Sequence, residues 1–158
     1  MGEKLNGQTD VTLDEKGRIS LPVSLRKILG DAELIIKPSY YEKEKSLWLF
    51  PKNVYQAMLD DYDKNTDILS EKDRIFRRRF FNYKDVEIDK AGRIAIPQEY
   101  REFANLAKDC LVLGVGDYIE IWDKETYRKH YSESNETFVS ASEEISIKVK
   151  KSKTGNQE

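Results

Sequence analysis

One phrase occurs twice in this sequence, and it limits the possible folds more than any other feature. It reads VTLDEKGRISLP at residues 11–22 and VEIDKAGRIAIP at residues 86–97, an offset of 75 residues. The positions of the first copy that recur unchanged in the second are Val11, Asp14, Gly17, Arg18, Ile19, Pro22 and Arg26. A period this long, seen once, indicates two copies of a supersecondary unit rather than a solenoid.

Each copy is predicted to form a strand, a tight turn, a second strand and a helix. Val11 and Leu13 alternate with polar neighbours, which is the period of a strand. Asp14 opens the turn, because a short carboxylate accepts hydrogen bonds from backbone amides further along it. Gly17 takes the positive-φ position that closes a three-residue hairpin loop, and Pro22 takes the first helical position. The corresponding residues of the second copy are Val86, Ile88, Asp89, Gly92 and Pro97.

Two more strands are predicted in each copy, at residues 34–37 and 47–50 and again at 111–115 and 118–122. Four short strands cannot form a stable core alone, whereas two such units packed together can close a small barrel with helices over its ends. Between the units, Asn53 is expected to cap one helix and Ser70 another. The second of these helices is predicted to run to about residue 81 and to bury Ile75, Phe76 and Phe80.

The predicted boundaries are 8–53 for the first unit, 54–82 for the connecting helices and 83–126 for the second unit. Residues 127–158 are expected to hold the end of a helix and then a mobile tail without a core of its own. Ile145 and Ile147 leave room there for a short docked strand. The Gly114-Val-Gly116 sequence is read as a hairpin turn, since the third glycine of a nucleotide-binding loop is missing.

The composition favours a soluble protein and disfavours an enzyme. Charged residues make up 35% and hydrophobic residues 39% of the chain, and no stretch approaches the ~18 apolar residues of a membrane span. The single cysteine, Cys110, excludes a disulfide framework and a cysteine-based zinc site, so we expect a cytoplasmic protein. One histidine, His130, leaves no base for a nucleophile or partner for a metal. We therefore expect no catalysis, no cofactor, no metal and no small-molecule substrate.

Arg18 and Arg93 are the candidate DNA-binding residues. An arginine beside a tight turn can project from the tip of a two-stranded ribbon into a major groove, and its planar fork can pair with guanine O6 and N7 or with a phosphate. Asp14 and Asp89, four positions earlier, would fix the turn and orient the fork. The alternative is that each Asp and Arg only pair with each other, a surface ion pair worth ~0–1 kcal/mol. Spacing alone leaves both open.

The two copies differ in their lysines. Lys16 lies two positions before Arg18, so an extended backbone through Gly17 would send both side chains to the same side. In the second copy Ala91 replaces that lysine, and Lys90 lies three positions before Arg93. We therefore predict that both lysines contribute to DNA binding and that the first copy carries more of the contact.

The densest cluster of positive charge lies elsewhere, on the helix before the second copy. It consists of Arg74, Arg77, Arg78 and Arg79. Their spacing fits a phosphate clamp, a charged helix face paired with nearby acidic residues, or a subunit interface. The sequence does not choose among the three.

Both repeats resemble a known family of bacterial transcriptional regulators. LDEKGRISLP, IDKAGRIAIP, the RRRFF before the second copy and LVLGVGDYIEIWDKETY are together similar to MraZ, over roughly residues 8–131. The resemblance implies a mainly β fold with capping α-helices, in which two swapped-hairpin units of the AbrB/MazE/MraZ type form an intramolecular pseudo-dimeric double-split β-barrel. The family's Asp-x-x-x-Arg pattern falls on Asp14 with Arg18 and on Asp89 with Arg93. The polar N-terminal extension and the tail beyond Tyr131 depart from the family.

The resemblance also implies how such a protein works. It implies a nucleoid-associated ring oligomer that binds double-stranded DNA at spaced promoter repeats and represses the division and cell-wall gene cluster, including its own gene. A ring agrees with the net charge of −2, because gathering arginine turns from several protomers compensates for few basic residues per chain. The rival is an AbrB-like antitoxin whose residues 132–158 wrap a protein partner. The duplicated arginine turns weigh against that rival, since a neutralising tail needs neither.

Overall fold

A computed structural model describes residues 2–155, and it divides into two compact units, one ending at Thr126 and the other beginning at Tyr127. The strands are β1 (Gln8–Thr12), β2 (Arg18–Ser20), β3 (Leu34–Pro38), β4 (Leu47–Pro51), β5 (Lys84–Val86), β6 (Arg93–Ala95), β7 (Asp109–Gly114) and β8 (Ile119–Asp123). The helices are α1 (Val23–Leu29), α2 (Lys52–Lys64), α3 (Glu71–Phe80), α4 (Gln98–Phe103), α5 (Lys124–Glu133) and α6 (Asn135–Gly155).

The strands of the two repeats are exchanged. Six of them form an antiparallel sheet in the order β1-β7-β8-β4-β3-β5, so that β1 of the first repeat pairs with β7 of the second, and β5 of the second pairs with β3 of the first. The remaining two, β2 and β6, pair with each other as a separate ribbon. The hairpin predicted within each copy is therefore wrong. A three-residue strand is too short to hold such a hairpin alone, and the exchange gives each strand a partner in the other repeat.

The six-stranded sheet is open, because its edge strands β1 and β5 do not pair with each other within the described residues. One face packs against the β2–β6 ribbon and helices α1 and α4. Ile19 and Ile94 from the ribbon, Leu25 from α1 and Tyr100 from α4 are almost completely buried there. Each repeat thus supplies half of the main core.

The opposite face of the sheet has a second, aromatic core. Trp48 and Phe50 of β4 pack there with Tyr55 of α2 and Phe80 of α3. The Tyr55 hydroxyl donates to the Phe80 carbonyl at 2.6 Å, which ties the two connecting helices together. Because β3 and β4 are buried on both faces, β4 is a continuous apolar run in the sequence, and β3 is one apart from Lys37.

Several local predictions need correction. Pro22 and Pro97 lie one residue before α1 and α4, at the N-cap, since their ψ of 141° is extended rather than helical. Asn53 does not cap α2, which already begins at Lys52. Ser70 does cap α3, accepting a hydrogen bond from the backbone N–H of Asp73.

The predicted burial of α3 is confirmed for one residue of three. Phe80 is completely buried, whereas Ile75 is half exposed and Phe76 remains over a third exposed. Only the end of this ten-residue helix reaches the aromatic core. The predicted strands of the later pairs agree with β3, β4, β7 and β8 apart from shifts of one or two residues at their ends.

The N-terminal extension packs against the second repeat. Leu5 is buried in the main core and exchanges two backbone hydrogen bonds with Gly116, at 3.0 and 2.8 Å. A Cβ on Gly114 would lie 2.2 Å from the backbone nitrogen of Asn6, so this position must be glycine. The predicted hairpin turn between β7 and β8 is confirmed. Its first glycine, Gly114, leaves the space in which the backbone of the N-terminal segment lies.

The tail is helical. α5 starts in the first unit and continues into the second, and α6 follows it to Gly155. The docked strand for which Ile145 and Ile147 left room does not form, because both lie within α6 and are half exposed. α6 has no buried residue. Residues 156–158 of the predicted tail lie outside the described residues. None of the described helices is long and apolar enough to cross a membrane.

Candidate nucleic-acid interface

The turn of the first repeat is organised by one carboxylate. Asp14 Oδ1 accepts hydrogen bonds from the backbone N–H groups of Lys16 and Arg18, both at 2.9 Å. Asp14 Oδ2 accepts from Nε of Arg18 at 2.8 Å. Gly17 has φ +78° and donates its N–H to the Asp14 carbonyl at 3.0 Å. The carboxylate thus accepts hydrogen bonds from the backbone of the turn, and the glycine takes the positive-φ position.

The second repeat builds the same turn with nearly the same distances. Asp89 accepts from the backbone N–H groups of Ala91 and Arg93 at 2.9 Å and from Nε of Arg93 at 2.9 Å. Gly92 has φ +80°. Both residues between the Asp and the Gly differ between the copies. Lys16 and Ala91, at the second of these positions, each contribute only a backbone N–H, so the turn does not depend on that side chain.

Both carboxylates are held in the charged form. Donation by the backbone N–H of Arg18 is the largest cause that lowers the pKa of Asp14; partial desolvation opposes it, and the Arg18 side chain lowers the pKa further. Arg93 has the same effects, in the same order, on the pKa of Asp89. Each arginine is therefore anchored through Nε, while its two terminal NH₂ groups have no hydrogen bond to the described part of the chain. Those two groups are the ones that form a bidentate pair with guanine.

The ribbon places the two arginines on one face. In the β2–β6 pairing Ile19 lies opposite Ile94, and both point into the core. Side chains alternate along a strand, so Arg18 and Arg93 point away from the core. Each lies opposite a small exposed residue of the other strand, so the two arginines are diagonal neighbours. Such neighbours are roughly 7–8 Å apart, within reach of long side chains.

This duplicated architecture has counterparts among known proteins. The family model described as "MraZ protein, putative antitoxin-like" matches residues 5–78 and again residues 80–149. The chain belongs to the MraZ family. A protein of Treponema denticola named transcriptional regulator MraZ is 37% identical over 142 residues, which is 89% of this chain and 96% of that protein. Proteins of the same name from two strains of Treponema pallidum are 35% identical over 140 residues, 88% of this chain and 92% of theirs.

Two arginines of the MraZ repeats were missed as site residues. Arg26 and Arg101 recur at the same offset as the rest of the phrase, and that recurrence was the only signal in the sequence. In the structure the guanidinium of Arg101 lies on Gly17, and that of Arg26 lies on Gly92. Each repeat thus places a cation on the turn of the other.

Lys16 and Lys90 are exposed beside the turns. The premise that would send Lys16 to the same side as Arg18 is wrong, because the backbone at Gly17 is left-handed rather than extended. Both lysines lie in the turns that precede β2 and β6. Their role in DNA binding stays a prediction.

The arginine cluster of α3 is largely engaged within the chain. Nη1 of Arg77 donates to Asp63 at 2.9 Å and to Thr66 at 2.7 Å, which ties α3 to the end of α2. Arg74 donates to the Ile68 carbonyl at 2.9 Å, and Arg79 contacts the segment after β3. These contacts favour the interpretation of α3 as a charged helix face paired with its surroundings.

The described residues contain no cluster of His, Cys, Asp and Glu that could hold a metal ion.

Proposed function

We propose that this protein is a sequence-specific DNA-binding transcriptional regulator that inserts the β2–β6 ribbon into the major groove. The observation that carries this proposal is the pair of carboxylate-anchored, partly exposed arginines, Arg18 and Arg93, on the ribbon face that points away from the core. A two-stranded ribbon fits the major groove. Support also comes from the Treponema relatives, whose name describes a transcriptional regulator.

The turn geometry supplies a mechanism. Asp14 and Asp89 hold Nε of the two arginines, so the terminal NH₂ groups are aimed before DNA arrives, and less side-chain entropy is lost on binding. Each fork then pairs with guanine O6 and N7 or with a phosphate. Lys16 and Lys90 add phosphate contacts beside the groove. In this proposal the first repeat carries more of the contact, because its turn has a lysine, Lys16, at the position that Ala91 takes in the second repeat.

The rigidity of this site comes from the duplication. In this proposal the ribbon and the open sheet form an intramolecular pseudo-dimeric double-split barrel, built from units at 8–53 and 83–126 that are linked by helices at 54–82. Both arginine turns are then fixed in one body. A protein with separate, flexibly linked units would have to order them on DNA at an entropic cost.

Assembly completes the proposal. The chain carries 27 basic and 29 acidic residues, so a single protomer has little attraction for DNA. A ring of protomers presents several arginine ribbons to spaced promoter repeats, and the high effective concentration combines weak contacts. Exposed apolar side chains at the α2–α3 connection, including Ile68 and Leu69, offer contact area between copies. We place the particle in the cytoplasm, on the nucleoid, as a repressor of the division and cell-wall gene cluster.

A second candidate function is binding of a protein partner by the tail, as in an antitoxin. It is favoured by the exposed apolar residues of α6, among them Phe138, Ile145 and Val149, and by the antitoxin-like description of the family. In that case a chain ending at residue 131 would still bind DNA but lose its protein partner.

The test is a gel shift on the repeats upstream of the chain's own gene, over a salt series and against a shuffled duplex. We expect a steep loss of affinity with salt and preference for the repeats. Lys64→Ala removes one exposed positive charge at the end of α2. It is the control for loss of a single charge, as in Arg18→Ala, and should bind like the unmodified protein. Equal binding of repeat and shuffled DNA by the intact particle would refute the proposed specificity.

A further inference from the structure

Arg101 and Gly17 fit each other across the two repeats. A Cβ placed on Gly17 would lie 2.7 Å from Cζ of Arg101, so the guanidinium occupies the space that only glycine leaves open. Nε of Arg101 donates to the carbonyl of Ile96 at 3.0 Å, which fixes the side chain over the turn. Gly17 therefore serves two purposes, since its φ of +78° also disfavours other residues.

The same segment of the second repeat holds the turn from its backbone. The N–H of Ile96 donates to the carbonyl of Gly17 at 2.9 Å. Ile96 thus binds Gly17 with its N–H and Arg101 with its carbonyl. The turn that carries Arg18 is clamped by a side chain and a backbone group from the other repeat.

The equivalent clamp, with the roles of the two repeats exchanged, is present at the second turn. A Cβ on Gly92 would lie 2.6 Å from Cζ of Arg26, and Nε of Arg26 donates to the Leu21 carbonyl at 3.0 Å. The N–H of Leu21 donates to the Gly92 carbonyl at 2.9 Å. The contacts and their distances are nearly the same at the two turns, so the residues of the repeated phrase form this arrangement in both copies.

Packing alone accounts poorly for these two arginines. Both are half buried, and neither has a carboxylate partner among residues 2–155. A partly desolvated guanidinium costs free energy that an apolar side chain would not. What the guanidinium offers instead is a flat, rigid group that lies against a peptide while its Nε makes a directed hydrogen bond.

We propose that Arg26 and Arg101 are positioning residues that act across the repeats: Arg101 sets the turn that aims Arg18, and Arg26 sets the turn that aims Arg93. This inference rests on the proposed function, because the aimed residues are the DNA contacts. Arg26 and Arg101 act through the turns and do not themselves touch DNA. Each DNA-binding turn is then a composite of both halves of the chain.

Double-mutant cycles on the upstream repeat duplex test this crossed arrangement. Arg18→Ala should weaken binding about ten-fold or more, and Arg101→Ala should weaken it several-fold. Once Arg18 is gone, Arg101→Ala should add less than two-fold, because the residue it aims is absent. The matched control is Arg26→Ala in the same Arg18→Ala background, which should keep its full effect. Independent effects of Arg18→Ala and Arg101→Ala would overturn the inference.

The salt dependence separates positioning from direct phosphate contact. In the Arg18→Ala background, Arg101→Ala should leave the slope of log affinity against log salt unchanged. A further reduction of about one would instead show that Arg101 binds a phosphate. Arg101→Lys should not rescue binding, since an ammonium cannot lie flat on the turn. Rescue by lysine would count against positioning.

A readout without DNA keeps this inference separate from the proposed function. In amide NMR spectra of the free protein, Arg101→Ala should shift the signals of Gly17 and Arg18 and leave those of Gly92 and Arg93 in place, while Arg26→Ala does the reverse. The dispersion of the same spectra shows whether each variant is folded, and Arg101→Gln serves if alanine is not tolerated. Shifts confined to a variant's own repeat would refute the clamp. If instead Arg18→Ala leaves DNA binding intact, the proposed function fails and the NMR result still decides the clamp.

Discussion

Replacing Lys37 with methionine should stabilise the protein. Lys37 is 1% exposed on β3, and its Nζ donates to the Pro38 carbonyl at 2.6 Å. Nζ also lies 4.3 Å from the centre of the Tyr40 ring and 5.5 Å from that of Trp48. No carboxylate pairs with it among the described residues. A buried ammonium is thus retained with two aromatic rings and one carbonyl as its only compensation.

The magnitude follows from the pKa of this amine. Burial lowers the pKa of Lys37 from 10.5 to about 8, which corresponds to a penalty of about 3 kcal/mol on the charged form at neutral pH. The two rings return roughly 1–2 kcal/mol. Methionine has a similar length and no charge, so the Lys37→Met variant should be more stable by about 1–2 kcal/mol at pH 7.

The pH dependence gives this prediction a second, independent check. Between pH 8 and 10.5 the unfolded state binds a proton at Lys37 that the folded state has released, so the contribution of this lysine to the stability of the unmodified protein rises with pH in that window. Burial raises the pKa of the neighbouring Tyr40, which therefore stays neutral there. The advantage of Lys37→Met should be full below pH 8 and decrease steadily as the pH rises towards 10.5.

Urea unfolding of both proteins from pH 6.5 to 10.5 measures this difference directly. Ile35→Val, a change of one methylene in the same aromatic core, is the control for repacking and should show a pH-independent loss of about 1 kcal/mol. A Lys37→Met variant that is less stable at pH 7, or a difference that does not change with pH, would refute the reasoning.

Three further predictions concern the turns and the N-terminal segment. Arg18→Ala should weaken binding to the upstream repeats more than Arg93→Ala, by about 1–3 kcal/mol for the former; titrations of the two variants check the order, and a larger loss from Arg93→Ala contradicts it. Gly17→Ala should lower the unfolding free energy by about 1–2 kcal/mol and also weaken DNA binding, because its Cβ displaces Arg101; unchanged denaturation and binding curves would contradict this. Leu5→Ala should cost about 3 kcal/mol in urea unfolding, whereas a loss under 1 kcal/mol would mean that the N-terminal segment is not part of the core.

The sequence contained enough information to predict the turns. Asp14 and Gly17 act there through local hydrogen bonds and a local φ preference, which a short stretch of sequence specifies by itself. The same is true of Ser70, whose side chain caps α3 three residues away. Interactions that span fewer than five residues are those that sequence patterns capture most directly.

The remaining features depend on distant parts of the chain. The residues alone suggested a hairpin within each copy, but β1 and β7 pair across about a hundred residues, which no local pattern encodes. The recurrence of Arg26 was visible in the sequence, yet its position over Gly92 exists only after the strands exchange. In the tail, Ile145 and Ile147 left room for a docked strand, whereas a helix satisfies its own backbone hydrogen bonds without a partner strand.

The most direct test of the account is a footprint of the proposed upstream repeats with a protein in which Arg18 and Arg93 are both replaced by glutamine. The particle mass and the unfolding curve of this variant must first match those of the unmodified protein, so that assembly and folding are constant. The account predicts that the unmodified protein protects the repeats and that the double variant does not at the same concentration. Equal protection by the two proteins would contradict the claim that these anchored arginines bind the DNA.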